Sequence, residues 1–216
     1  EEQEDNKQVL KGWHLYIIIT LVSVLSAVVF DKFILSRQLY AELYAKNMEE
    51  FKIDIYYNFM RKLNFLTIIF IPLFLWIKLV SCTLLFKLPL MVKGIIIPFK
   101  DIYKIILIAT FSLILCNIVN FTWIYFTPIS KMTQETFLLA PLSITYFLDP
   151  ARYSTEAFAL LNKINIFEIL WIYLVYLGFC KTKKLDKTDA FILALSYWIF
   201  IEILNFALGF YLRTLV

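Results

Sequence analysis

Five apolar stretches, each long enough to cross a membrane, constrain this chain more than any other feature of its sequence. A transmembrane helix needs about 20 apolar residues, with a range of roughly 17–25. The stretches that meet this length are residues 13–34, 63–85, 102–126, 164–180 and 190–212. Helices satisfy their own backbone hydrogen bonds in lipid, and these stretches lack the alternation of barrel strands. The sequence therefore predicts an all-α integral membrane protein, a bundle of five transmembrane helices.

Composition and charge agree with this class. Hydrophobic residues make up 61% of the 216-residue chain, whereas soluble domains typically contain about 45–50%. We expect a polar N-terminal segment, residues 1–12, followed by a single transmembrane domain, residues 13–216. The net charge is only +4, and the lysines and arginines flank the apolar stretches. They are therefore expected to set topology and contact lipid headgroups, and nucleic acid is not an expected partner.

A cluster of lysines separates the fourth and fifth stretches: Lys181, Lys183, Lys184 and Lys187. Positive charges near span ends favour the cytoplasmic side of a membrane. The lysines and arginines divide equally between the two sides of the predicted bundle, but those on the side of this cluster lie closer to the spans. We therefore predict that the four lysines set the topology, with the N-terminus in the cytoplasm.

The connection between the first two spans carries apolar residues at helical spacing. Steps of three or four residues place the following side chains on one face of a helix: Tyr40, Tyr44, Met48, Phe51, Ile55 and Phe59. We predict an amphipathic helix over residues 37–62 that lies on the membrane or packs on a partner protein. The alternative is that this segment extends a membrane helix.

A second connection, between spans three and four, contains about thirteen mostly apolar residues, 136–148. This segment is too short to span a bilayer, and Pro141 interrupts it. It is predicted to be an interfacial or re-entrant segment, followed by a turn at residues 149–153.

Four polar residues inside the predicted spans form the strongest candidate site: Asn117, Asn120, Glu202 and Asn205. Such side chains are costly in a bilayer, so each is a functional hypothesis. Spans three and five run in the same direction, and a rise of about 1.5 Å per residue puts the four residues at overlapping depths. They are predicted to form one intramembrane polar cluster, either as interhelical hydrogen bonds or as a pathway for a substrate or proton. Lys78 is expected too near the lysine-rich side to pair directly with Glu202, and Glu168 is expected in the opposite headgroup region.

No other set of residues indicates catalysis or a cofactor. His14 is the single histidine, the three cysteines are isolated, and the four glycines form no phosphate-binding motif. We therefore expect no catalytic residue, no metal site and no cofactor, and the protein is predicted not to be an enzyme.

The second half of the chain combines several features of a known family. PLSITYFLDP at residues 141–150 precedes a short span that contains Trp171 and Gly178, then the lysine cluster, then a helix that opens on Ala190. Earlier, a span with Pro72 and Trp76 leads into PFKDIYKIILIATF at residues 98–111. Over residues 60–212 this pattern resembles the bacterial branch of the Yip family, the five-helix membrane proteins that interact with Ypt/Rab GTPases.

This resemblance implies five helices, a cytoplasmic N-terminus and no catalytic site. The tyrosine-glycine-proline signature that eukaryotic members carry near the first span is absent. GTPase binding is therefore not implied, and the bacterial inner (cytoplasmic) membrane is the expected location.

Two functions remain open at this point. The first is a non-enzymatic membrane scaffold or assembly subunit, which uses the residue 40–59 stripe to bind other membrane proteins in a hetero-complex or a homo-oligomer. The alternative is a small transporter or permease subunit that uses the polar cluster between spans three and five. In both cases the lipid bilayer is a partner.

Overall fold

The computed structural model describes residues 2–44, 48–129, 132, 134–137, 139–149 and 152–214, and within these ranges the chain is helical and contains no β-strand. Seven α-helices lie in the described ranges: α1 (Glu2–Phe33), α2 (Arg37–Tyr44), α3 (Glu50–Val92), α4 (Phe99–Phe126), α5 (Thr155–Asn162), α6 (Ile166–Lys181) and α7 (Lys187–Thr214). Two short 3₁₀ helices, Gln134–Phe137 and Ile144–Phe147, lie between α4 and α5.

Four of these helices are long and apolar enough to cross a membrane: Gly12–Phe33 within α1, Glu50–Val92, Phe99–Phe126 and Lys187–Tyr211 within α7. The prediction of a helical membrane protein is therefore confirmed. α6, which covers most of the fourth predicted span, has 16 residues. It is about 24 Å long, shorter than a hydrocarbon core of about 30 Å.

α6 packs most extensively against α4 and then against α7. Its buried side chains are Trp171, Val175 and Phe179. Phe86 of α3 meets this face, with its ring 5.4 Å from that of Phe179 and stacked 4.2 Å from that of Tyr197 in α7. These contacts bury one face of α6, whereas Ile169 and Tyr173 on another face are exposed.

At one end of the bundle, the α3–α4 turn is tied to the α6–α7 turn that contains the predicted topology-setting lysines. Lys93 Nζ forms an ion pair with Asp189 Oδ1 at 2.9 Å, and the Lys184 ammonium donates a hydrogen bond to the Ile96 carbonyl. Lys181 ends α6 and Lys187 begins α7. The start of the apolar part of α1 lies at the same end, where Trp13 shares a pocket with Lys100 and Lys104.

The prediction of one amphipathic helix over residues 37–62 is wrong. The helix α2 ends at Tyr44, Met48 and Glu49 are not helical, and α3 begins at Glu50 and continues without a break through the second predicted span. Residues 45–47 lie outside the described ranges. The alternative, an extension of a membrane helix, holds for residues 50–62. The chain turns back between α2 and α3 because these two helices pack against each other.

The connection between α4 and α5 contains no long helix in its described residues. Phe137 packs on a small apolar cluster formed by Ile34, Leu39 and Ile124, at the end of the bundle opposite the lysines. Further along, Ser143 forms an antiparallel bridge with Asn165 just before α6. This connection therefore covers the ends of α1 and α4 and then returns to the start of α6.

Candidate functional site

The first candidate surface is the α2–α3 hairpin, which we define as α2 together with residues 50–62 of α3. Arg37 closes it, donating from Nε to Asp54 Oδ1 at 2.6 Å and from Nη2 to Glu50 Oε1 at 3.2 Å. The hydrogen bond from Arg37 lowers the pKa of the Asp54 carboxyl. Both partners are exposed, so this ion pair orients α2 relative to α3 but contributes little to the stability of the fold.

The hairpin divides the predicted partner-binding stripe in two. Tyr40 is buried and Tyr44 half-buried, and both rings contact Tyr56 of α3, at centroid distances of 5.9 and 5.3 Å. The other four predicted residues, Met48, Phe51, Ile55 and Phe59, point outward and are exposed. The stripe therefore supplies both the inner face of the hairpin and part of its outer surface.

The outer part continues along α3 without interruption. At steps of three or four residues, the same helical face carries exposed apolar side chains, here called the exposed stripe: Phe51, Ile55, Phe59, Leu63, Leu66, Phe70 and Phe74. It is about 35 Å long. α3 itself has 43 residues and is about 64 Å long, twice the thickness of a hydrocarbon core. The exposed stripe therefore extends from a charged, extramembrane segment into a membrane span.

The second candidate site is a groove between α5 and α7. Glu202 is the single Asp, Glu, Lys or Arg side chain that is more than nine-tenths buried in the described part of the chain, with 7% of its surface exposed. The Asn205 amide nitrogen lies 3.5 Å from Glu202 Oε2, at the outer limit of a hydrogen bond. Both residues line a groove of about 280 Å³, here called the α5–α7 groove, whose other side includes Lys163.

A second carboxyl group stands behind this groove. Glu168 of α6 accepts a hydrogen bond of 3.2 Å from the indole nitrogen of Trp198 in α7. It also lies within electrostatic range of Glu202, and of two ammonium groups, Lys163 and Lys78. Glu168 and the three charged groups within its electrostatic range, Glu202, Lys163 and Lys78, are here called the polar layer.

The sequence contained a signal for this layer that was not used. α6 and α7 are antiparallel neighbours joined by a short turn, so equal distances from the turn mean equal depth. Glu168 lies about 20 Å before Lys181, and Glu202 about 22 Å after Lys187. A comparison of the depths of polar residues along α6 and α7, in place of α4 and α7, identifies Glu168 and Glu202 as a pair.

The structure does not place the two predicted asparagines of α4 in the α5–α7 groove. Asn117 is exposed on the surface of α4. Asn120 lines a different groove, shared with Tyr40 and Tyr44 of α2 and Asn64 of α3. α6 packs against both α4 and α7. The structure therefore brings Glu202 together with Asn205 and with Glu168.

A hydrogen-bonded network supports the polar side of the groove. Asn165 caps α6, its Oδ1 accepting from the backbone nitrogens of Phe167 and Glu168 at 3.0 Å each. Asn162, the last residue of α5, accepts from the Ala140 nitrogen at 2.8 Å and from the Thr145 hydroxyl at 3.0 Å. The network thus fixes the α5–α6 turn against the preceding connection and satisfies polar groups that have little access to water.

The described residues contain no cluster of three His, Cys, Asp or Glu side chains that would hold a metal ion. The carboxyl and ammonium groups of the polar layer are suited to hydrogen bonding and to binding charged groups. Comparison with protein-family models, with curated proteins and with solved structures gave no match.

Proposed function

We propose that the chain is a non-enzymatic integral membrane scaffold or assembly subunit, similar in organisation to Yip proteins, that holds another membrane protein along α3. The observation that carries this proposal is the exposed stripe. Phe51, at its outer end, has 74% of its surface exposed, and the segment around it contains Glu50, Lys52 and Asp54. Such a charged segment belongs outside the hydrocarbon core, where bare aromatic and aliphatic side chains are unfavourable.

The length of the exposed stripe indicates the class of partner. Each large apolar side chain gains about 1.5–3 kcal/mol when it is moved from water into an apolar environment. Lipid covers the membrane part of the stripe but does not reach its outer end. A partner that covers both parts is itself an integral membrane protein, with a helix that continues beyond the bilayer surface.

We further propose five spans, with α6 as a short fifth span, and an N-terminus in the cytoplasm of the bacterial inner membrane. The lysine-rich end of the bundle supports this orientation through the positive-inside rule. If the C-terminal end of α6 lies at the lysine-rich surface, its N-terminal end lies several ångströms inside the hydrocarbon core. The Asn162–Asn165 network would then satisfy the loop at that depth, as a re-entrant segment requires.

The test is a comparison of two triple alanine variants. Phe51, Ile55 and Phe59 of α3 are replaced in the first variant, and Leu21, Leu25 and Val29, which are similarly exposed apolar residues of α1, in the matched control. Each tagged protein is purified from its native membrane in mild detergent, and co-purifying proteins are quantified by mass spectrometry. We expect a stoichiometric integral membrane partner with the wild type and the control, and its loss with the first variant. Retention of that partner by the first variant would contradict the proposal.

A small transporter or permease subunit is the alternative, and the burial of Glu202 beside a groove favours it. The same purification separates the two functions. A stoichiometric transport ATPase whose association does not depend on the exposed stripe would support the transporter and direct attention to Glu202→Gln.

A further inference from the structure

The α5–α7 groove is lined by charged side chains from both helices. Its α7 wall carries Glu202 and Asn205, and its α5 side carries Glu156 in the first turn and ends in Lys163. Between them lie the apolar side chains of Ala159, Leu160 and Phe206. Gly209 completes the groove, and an added Cβ there would meet no atom within 4 Å, so the groove is open at this point.

The groove lies near one surface of the bilayer. Measured along α7 from Lys187, Glu202 is at about 22 Å and Gly209 at about 33 Å. With the lysine-rich turn at one boundary of a hydrocarbon core of about 30 Å, the groove straddles the other boundary. Lipid headgroups and the first carbons of the acyl chains occupy this depth.

We propose that the α5–α7 groove binds a phospholipid whose headgroup carries a primary ammonium and a phosphate, as phosphatidylethanolamine does. The ammonium donates hydrogen bonds to the Glu202 carboxylate and the Asn205 carbonyl oxygen. Lys163 binds the phosphate, and an acyl chain lies along Phe206 and the exposed apolar surface of α7. This site is independent of the partner proposed for α3.

Charge and size both support this occupant. The carboxyl groups of Glu202 and Glu168 lie at similar depths along α7 and α6 and within electrostatic range of each other. A cation bound beside Glu202 reduces the repulsion between them. The volume of about 280 Å³ equals that of about nine water molecules. That space accommodates a small headgroup such as ethanolamine phosphate.

The hydrogen-bond requirement distinguishes this lipid from its relatives. A quaternary choline has the same charge but no N–H donor, so it leaves the Glu202 oxygens without a donor. An anionic headgroup, such as phosphatidylglycerol, offers nothing to Glu202 and is repelled by it. Binding should therefore fall with each methyl group added to the ammonium.

The experiment measures single-lipid binding to the full chain, delipidated in mild detergent, by native mass spectrometry. The probes are phosphatidylethanolamine and its mono-, di- and trimethylated forms, with phosphatidylglycerol and soluble phosphoethanolamine as comparisons. For the wild type we expect affinity to fall about tenfold from the unmethylated to the trimethylated lipid, since a hydrogen bond to a charged group is worth that much.

Three variants locate the site. Glu202→Gln should remove the discrimination between the unmethylated and trimethylated lipids, and Lys163→Gln should weaken both equally. Glu42→Gln, on the exposed side of α2, is the matched control and should behave as the wild type. Equal affinity of the wild type for the two lipids would overturn the proposal without any variant. Tighter binding of phosphatidylglycerol, unchanged discrimination in Glu202→Gln, or equally tight binding of soluble phosphoethanolamine would also overturn it.

Discussion

Gly178 of α6 lies at a close approach between α6 and α4, and replacing it by alanine tests that packing. A Cβ at position 178 would overlap the side chain of Ile105, including atoms close to the α4 backbone. Ile105 is β-branched and has little rotamer freedom in a helix. The helices therefore have to separate, or Ile105 has to adopt a strained rotamer.

The magnitude follows from two opposing effects. Overpacking a well-packed interface typically costs about 1–3 kcal/mol. Replacing glycine by alanine within a helix gains about 0.5–1 kcal/mol. Gly209 of α7 is the matched control, because a Cβ there meets nothing within 4 Å and only the gain remains. The free energy of unfolding should thus be about 1–3 kcal/mol lower for Gly178→Ala than for Gly209→Ala.

The assay is reversible unfolding in mixed micelles, followed by circular dichroism as the fraction of denaturing detergent rises. A double-mutant cycle with Ile105→Ala assigns the loss to this contact. Removing the Ile105 side chain should offset the added methyl group, with a favourable coupling of about 1 kcal/mol or more. Equal stability of Gly178→Ala and Gly209→Ala, or no coupling to Ile105, would refute the argued close approach.

Two further predictions concern the connections between helices. Asn165→Ala removes the cap of α6 and should lower the free energy of unfolding by about 1–2 kcal/mol in the same assay. Asn165→Ser, which keeps a cap acceptor without a charge, should have a stability between those of the wild type and Asn165→Ala. An Asn165→Ala variant as stable as the wild type would contradict the cap. Arg37 lowers the pKa of Asp54 in the folded protein. The ion pair therefore contributes fully to the free energy of unfolding above the pKa of about 3.9 that Asp54 has in the unfolded chain. This contribution is lost as the pH falls through the lower pKa of the folded state. Carboxyl NMR should therefore give an Asp54 midpoint below about 3.9 that rises in Arg37→Gln; an unchanged midpoint would refute the ion pair.

The helices themselves were predictable from the sequence because their cause is local. An apolar run of sufficient length has to form a helix in lipid, where no water satisfies the backbone. This is why the five predicted stretches coincide with parts of α1, α3, α4, α6 and α7. The apolar run at residues 164–180 already indicates a short helix, but it does not reveal that α6 packs against both α4 and α7.

The hairpin shows why periodicity alone was insufficient. The apolar residues between positions 40 and 59 have the spacing of one helix face. This spacing continues unchanged past Tyr44, where the chain reverses its direction. Only the contacts of Tyr40 and Tyr44 with Tyr56, together with the Arg37–Asp54 pair, reveal that the chain turns back. These partners are distant in sequence, so a local pattern does not contain them.

The candidate polar site divides in the same way. The sequence by itself determined how deep Asn117, Asn120, Glu202 and Asn205 lie along their helices, because depth depends only on the rise per residue. It did not determine which helices are neighbours or which way each side chain points. Tertiary packing, with α6 against both α4 and α7, brings Glu202 together with Asn205 and Glu168 and leaves Asn120 facing α2. Helical membrane segments are specified by local composition, whereas a site between them depends on long-range packing.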